Sequence, residues 1–146
     1  MAIFNGTDLI LKVSPSSGGA EAKLMHSQNV SLSMNVDTID ISTKDSAGFR
    51  ELLGGQKSFS LSADGLYDFS PTAGTTTDPS DLVTQMLART AVTFTFTYGQ
   101  SLSTGDTYYT GSGFITSFEV SGGVEDAPTY SVSIEGSGAI TQAVQA

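Results

Sequence analysis

Four stretches of the chain alternate apolar and polar residues at period two, the pattern of strands with one buried and one wet face. Val30, Leu32, Met34 and Val36 alternate with Ser31, Ser33, Asn35 and Asp37. Phe59, Leu61 and Ala63 alternate with Ser58, Ser60, Ser62 and Asp64. Val92, Phe94, Phe96 and Tyr98 alternate with Thr93, Thr95 and Thr97, and Tyr130, Val132 and Ile134 with Ser131, Ser133 and Glu135. The alternation slips once. After Val36 the next apolar residues are Ile39 and Ile41, and one extra residue near Asp37 and Thr38 restores the faces, so a bulge or bend is expected there. A first strand is expected over about 8–13, although Leu9, Ile10 and Leu11 are continuous. The segment 107–120 is ambiguous, because Gly111 and Gly113 point to a kink or a close backbone approach.

One helix interrupts the strands, over about 78–90. Asp78 can cap it, Pro79 fits its first position, and Asp81 suits its positive end. Leu82, Val83, Met86 and Leu87 then share one face, and Arg89 sits in the last turn. The expected fold is mainly β: a β-sandwich or open barrel of about seven to eight strands, with one flanking α-helix, in a single domain spanning 1–146. Two connections stand out. A polar loop covers about 70–77. A longer one, about 42–57, joins two alternating strands and carries Lys44, Arg50 and Lys57, half of the six basic residues. Long loops in compact domains are usually functional or disordered, and this one sets Phe49, Leu52 and Leu53 beside its charges. It reads as a contact surface, the plain alternative being an Ω-loop packed on its own subunit.

Composition narrows the function. The 146 residues can bury a core without staples, and the lack of cysteine excludes thiol catalysis, disulfides and cysteine zinc sites. No apolar run approaches a membrane helix in length. The start, MAIFNGTDLILKV, has no basic segment ahead of its apolar residues, so a secretory signal is not expected and the chain should be made in the cytoplasm. With 21 serines and 18 threonines the sequence leans to strands and turns. A net charge of -9 argues against a nucleic-acid binder with a basic patch.

The inventory for chemistry is poor, and no enzyme is expected. His26 is the only histidine, and no serine or aspartate is spaced to complete a triad with it. Glu119, Glu125 and Glu135 could in principle pair for glycoside cleavage, but solvated positions explain them more simply. Asp37, Asp40 and Asp45 fail the calcium-loop pattern, since Lys44 takes a would-be ligand position and Gly48 is out of place. No metal or cofactor is expected. The two GSG triplets, beginning at Gly111 and Gly136, lack any phosphate-loop fingerprint and read as turns or kinks. Asn5 and Asn29 match glycosylation triplets that carry no meaning without a secretory route.

The wet strand faces share a property: none of their residues is basic. A face of hydroxyls and scattered carboxylates is smooth and non-adhesive toward polyanions. Plain solubility explains such a face. So does a conduit wall, because cationic side chains hold DNA by releasing counterions and a duct must contain no deep wells. On the second reading Ser31, Ser33, Asn35, Asp37, Ser58, Ser60, Ser62, Asp64, Ser131, Ser133 and Glu135 line a lumen.

The stretches MAIFNGTDLILKV, VDTIDISTKDSAGFRELLGGQKSFSLSADGLYD and YSVSIEGSGAI, in that order, resemble the major tail tube protein of long-tailed, non-contractile bacteriophages. The resemblance spans almost the whole chain, and its most specific piece runs from Asp37 to Gly65. It implies a β-sandwich subunit with one helix, a hexameric ring with a shared β-barrel lumen, and rings stacked into a virion tail. The expected partners are copies of itself, the tape measure protein, tail terminator and tail-tip proteins, and DNA in transit without tight binding, with no membrane. On this reading Lys44, Asp45, Phe49, Arg50, Glu51, Leu52, Leu53 and Lys57 form a ring-stacking surface. The alternative is a carbohydrate- or receptor-binding β-sandwich of a fibre or cell surface, for which Tyr67, Tyr108 and Tyr109 are the only suggestive aromatics.

Overall fold

The computed structural model describes residues 6–14, 20–24, 26–68, 76–99 and 102–146. Asn5 and most of the polar 70–77 loop lie outside the described residues. Among those described, the elements run β1 (Leu9–Val13), β2 (Ala22–Leu24), β3 (Ser27–Asp40), β4 (Leu52–Leu66), β5 (Thr76–Thr77), α1 (Pro79–Ala88), β6 (Val92–Tyr98), β7 (Thr107–Ser121) and β8 (Thr129–Val144). The strands form one ladder in the order β3-β4-β8-β7-β6-β1-β2-β5. Every pairing is antiparallel except β2 with β5.

The long strands β7 and β8 serve two sheets. Residues 114–121 of β7 and 129–135 of β8 continue the sheet of β3 and β4, whereas 107–113 of β7, with 136–144 of β8 on its far side, continue the sheet of β6. Register shifts between Thr110 and Ser112 and between Ile115 and Ser117 mark the corner, which is how strands change sheet in a sandwich. Glycine permits the close approach there: a Cβ on Gly136 would stand 2.3 Å from the Phe59 ring, and one on Gly113 would stand 2.4 Å from the Glu135 carbonyl oxygen. The expected kinks at both GSG triplets therefore lie at this corner. β1 and β3, four strands apart in the ladder, come back into contact, so the whole curls into an open barrel.

The core fills the space between the two sheets. Leu11, Val13, Leu24, Val92 and Phe94 from one side meet Phe59, Leu61, Ala63, Ile115, Tyr130, Val132 and Ile134 from the other. Each large side chain so buried contributes about 1.5–3 kcal/mol. Phe59 and Phe94 pack tilted at 5.7 Å, and Phe118 stacks on Tyr130 at 6.2 Å with Tyr67 edge-on to both. Burial, with the Asp64 charge adding to it, pushes the Tyr130 phenol up.

Helix α1 begins where the sequence indicates and ends at Ala88, slightly earlier than expected. Asp78 is extended at the N-cap, its N–H donating to the Asp81 carboxylate at 3.4 Å, and Arg89 closes the helix in the left-handed region at φ 55. Arg89 is thus the C-cap and not a residue of the last turn. Leu82 is fully buried, Val83 and Met86 are half-buried, and Gln85 turns inward, but Leu87 is 79% exposed. It stands about 140° round the helix from Leu82 at 3.6 residues per turn, outside the buried arc.

Two further expectations need correction. The bulge near Asp37 is present, but the extra residue is on the partner strand: between the pairs Val36–Lys57 and Thr38–Gly54, β3 has only Asp37 and β4 has Gly55 and Gln56. β3 therefore keeps its parity, and Ile39, paired with Leu53, falls on the side held before the bulge by Asn35 and Asp37. The connection is also shorter than 42–57. β4 starts at Leu52 because residues 52–54 pair with Thr38, Ile39 and Asp40, a ladder that LLGG, without alternation, does not announce.

Candidate functional site

The polar residues of β3, β4 and β8 come together on one face. Ser31 is paired with Ser62, Ser33 with Ser60 and Asn35 with Ser58. Across the next ladder Ser60 faces Glu135, Ser62 faces Ser133 and Asp64 faces Ser131. Of the eleven residues expected on this face, Asp64 and Ser133 are half-buried and the others are exposed. Hydroxyls bond along the rows, with Ser31 Oγ and Ser62 Oγ 2.5 Å apart. The structure extends the face to β7, where Ser117 pairs with Ser133, Glu119 with Ser131 and Ser121 with Thr129. Sequence reading missed these because the bulge at Thr116 breaks the alternation of β7. It also missed Phe114, which pairs with Glu135 and puts a half-exposed ring among the polar groups. The β6 threonines belong to the other sheet. Thr95 bonds to the Glu21 carboxylate, and Thr97 is buried, which its alternation did not indicate.

This four-stranded sheet has two open edges. β3 is the terminal strand of the ladder, and β7 pairs with β6 only over 109–113, so among the described residues 114–121 of β7 have a ladder partner on one side alone. Since β3-β4-β8-β7 alternate in direction, the two edge strands run in opposite senses.

At one end the sheet overhangs. The β4–β8 ladder begins at Ser60, so β3 and β4 continue beyond it as a two-stranded ribbon to the tip at residues 41–51. The tip is tightly made. Ser42 Oγ accepts from the Glu51 N–H at 2.7 Å, and the Ile41 N–H reaches the Glu51 carbonyl at 3.0 Å. Thr43 caps a short turn over Lys44–Ser46, its N–H donating to Ser46 Oγ at 3.0 Å, with Ala47 and Gly48 both at positive φ. Asp40 accepts from the Ser42 N–H at 2.9 Å and pairs with Arg50 at 3.4 Å. The Ser42 bonds, and then Arg50, hold its carboxyl below the usual carboxylate range.

The tip bonds much of its own backbone, yet its apolar side chains find no cover. Phe49 is 78% exposed, and Met34, Val36, Ile39, Ile41, Leu52 and Leu53 are each about half exposed. Of the expected contact residues, Lys44, Asp45, Phe49, Arg50 and Glu51 lie on the tip. Leu52 and Leu53 begin β4, and Lys57 lies on the ribbon across from Val36, past the bulge. They share one projection, and the apolar ones do not pack as an Ω-loop would.

Elsewhere the candidate chemistry disperses. His26 occupies an exposed turn at φ 48. Glu119 and Glu135 are on the polar face while Glu125 is in the β7–β8 turn. No group of three metal-ligating side chains occurs among the described residues. Tyr67 is committed to Phe118 and Tyr130, and Tyr108 and Tyr109 are half-buried on β7. No described helix is long and apolar enough to cross a membrane.

A family model described as phage tail tube protein matches residues 3–142. Among solved structures, a tail of an empty gene transfer agent particle, refined with C6 symmetry, is similar with a TM-score of 0.81 at 23% identity, covering 97% of this chain and 100% of that one. A chain of the native gene transfer agent virion gives 0.78 at 21%, with the same coverage. The SPP1 tail tube gives 0.73 at 14%, covering 98% of this chain and 80% of that one. No curated protein sequence matches.

Proposed function

Because the chain belongs to the phage tail tube protein family, and is thus a structural protein of a virion tail, we propose that six copies close into a ring around a shared β-barrel lumen and that rings stack into a tube. The observation that carries this reading is the four-stranded sheet with two open, oppositely directed edges and one cation-free face. Copies related by rotation about a ring axis keep the same strand direction along that axis. β3 of one copy then meets β7 of the next in the antiparallel sense already used within the subunit, and six copies of four strands form one continuous wall. Closure removes edges that would otherwise template aggregation.

The face turned to the lumen is the one built from Ser31, Ser33, Ser60, Ser62, Ser133 and their neighbours. The opposite face carries Leu61, Val132 and Ile134 and is used up by the core. DNA presents about one charge per 1.7 Å, and a wall of hydroxyls and carboxylates holds no cation that could replace its condensed counterions. The tube encloses the tape measure protein before it conducts DNA. Tail terminator and tail-tip proteins cap the two unlike ends of the stack, and the reading assigns no catalysis. The tip at 41–51 is the ring-to-ring contact.

Cryo-electron microscopy of concentrated protein tests this. Six-fold rings and tubes with the serine rows innermost are expected. Tubes carrying those rows on the outer surface would overturn the assignment. Tubes of a Ser33→Lys, Ser62→Lys chain should retain duplex DNA in a salt-dependent manner that unmodified tubes lack.

A further inference from the structure

A stack that propagates needs two unlike surfaces at opposite ends of the subunit, since a tip-to-tip contact would be two-fold and would stop at a pair. The register shows what stands opposite the tip. Ser27 faces Gly65, and Leu66 and Ser121 both face Thr129, so the β7–β8 turn occupies the other end of the same sheet. The 14 residues of β3 separate the two ends by roughly 45 Å at about 3.3 Å per residue.

That turn projects. The Tyr67 N–H fixes its base by donating to the Pro128 carbonyl at 2.8 Å, and the Asp126 N–H reaches the Gly123 carbonyl at 3.3 Å. Glu125 is held in the left-handed region at φ 65. Val124 is 94% exposed, more than any other large apolar residue described. Glu125 and Asp126 follow it, Glu119 lies on the strand leading in, and residues 119–128 contain no cation. The tip exposes Phe49 and carries Lys44 and Arg50 among Asp40, Asp45 and Glu51, with Arg50 already paired to Asp40. Lys44 has no ion pair within the described residues.

We infer that the β7–β8 turn is the acceptor for the hairpin tip of a second copy in the adjacent ring, with Val124 packing against its Phe49 and the Glu125–Asp126 pair facing its Lys44. This rests on the stacked-ring reading above. The polarity of the stack follows, with every tip pointing the same way along the tube.

The native chain has no cysteine, so a Lys44→Cys, Glu125→Cys chain reports the contact directly. Oxidised tubes should give a disulfide ladder extending beyond six chains on a non-reducing gel, collapsed by reductant and absent from either single variant. Tubes visible by microscopy without a ladder would overturn the acceptor. In a second arm, Lys44→Glu should leave rings that do not stack, and adding Glu125→Lys should restore tubes. Normal tubes from Val124→Asp with Glu125→Lys would sink the acceptor and leave the ring reading standing. If the unmodified chain never forms rings, both readings fall together.

Discussion

Hairpin β3–β4 lives in two environments. Over its first half the apolar face closes the core, with Val30 and Leu32 packed against it and Phe59, Leu61 and Ala63 buried, and exposure sets in at Met34 and Val36. Beyond the bulge opposite Asp37 the same two strands carry Ile39, Ile41, Leu52 and Leu53 into solvent. The apolar content hardly changes along the hairpin, but the number of layers does. Side chains over the two-layer body stabilise the monomer. Those on the ribbon have no second layer of their own and must borrow one, which is the property of an association surface. On the proposed stacking, hydrophobicity reports burial in the assembly, and only the pairing partners tell which copy supplies the cover.

The contrast can be broken from either side. Phe49→Asp with Leu52→Asp should have the largest effect on function and almost none on folding. Tubes are lost in electron micrographs, while the urea unfolding free energy stays within about 0.5 kcal/mol of the parent. Phe59→Ala should do the reverse, costing the isolated subunit about 3–5 kcal/mol as a large core ring is removed, again read from urea unfolding. A smaller loss, about 1–3 kcal/mol, is expected for Gly136→Ala, because the new methyl overlaps the Phe59 ring. Phe59→Leu in the same chain should recover part of it, a coupling that a double-mutant cycle measures.

The smallest effect belongs to Asp78. One carboxylate oxygen is buried without a hydrogen-bond partner among the described residues, and burial, then Asp81 and Asp68, raises its pKa. A carboxyl with a folded pKa above its unfolded value favours the protonated folded state, so its ionisation costs stability as pH rises through that pKa. Asp78→Asn keeps a good cap and should raise the melting temperature slightly at pH 7. The advantage should shrink as the pH falls, and an advantage independent of pH would count against this account.

The four alternating strands, the capped helix and the presence of a bulge were legible because each follows from local pattern: period two, a Pro after an Asp, one slipped residue. What was not legible depends on partners across the ladder. Leu52 and Leu53 are strand because Ile39 and Asp40 pair with them. The bulge is on β4 and not β3 because two residues there oppose Asp37 alone. Ser117 and Glu119 joined the polar face only through a corner that β7 turns at Thr116. Thr97 looks wet in its own strand and is covered by neighbours. Of the proposed contact surface, the sequence showed the composition. It did not show that Lys57 leaves the tip, or that Val124, a lone valine among glycines and acids, stands at the opposite end.

The opposed sense of β3 and β7 has a consequence for how assembly starts. An arc of copies bares one strand of each kind at its extremities, as a single subunit does, so each arriving protomer zips one seam and re-creates the same two sticky extremities. Only the last arrival zips two seams at once. Arcs should therefore be scarce at equilibrium, completed hoops dominant, and the free protein soluble up to a sharp threshold concentration.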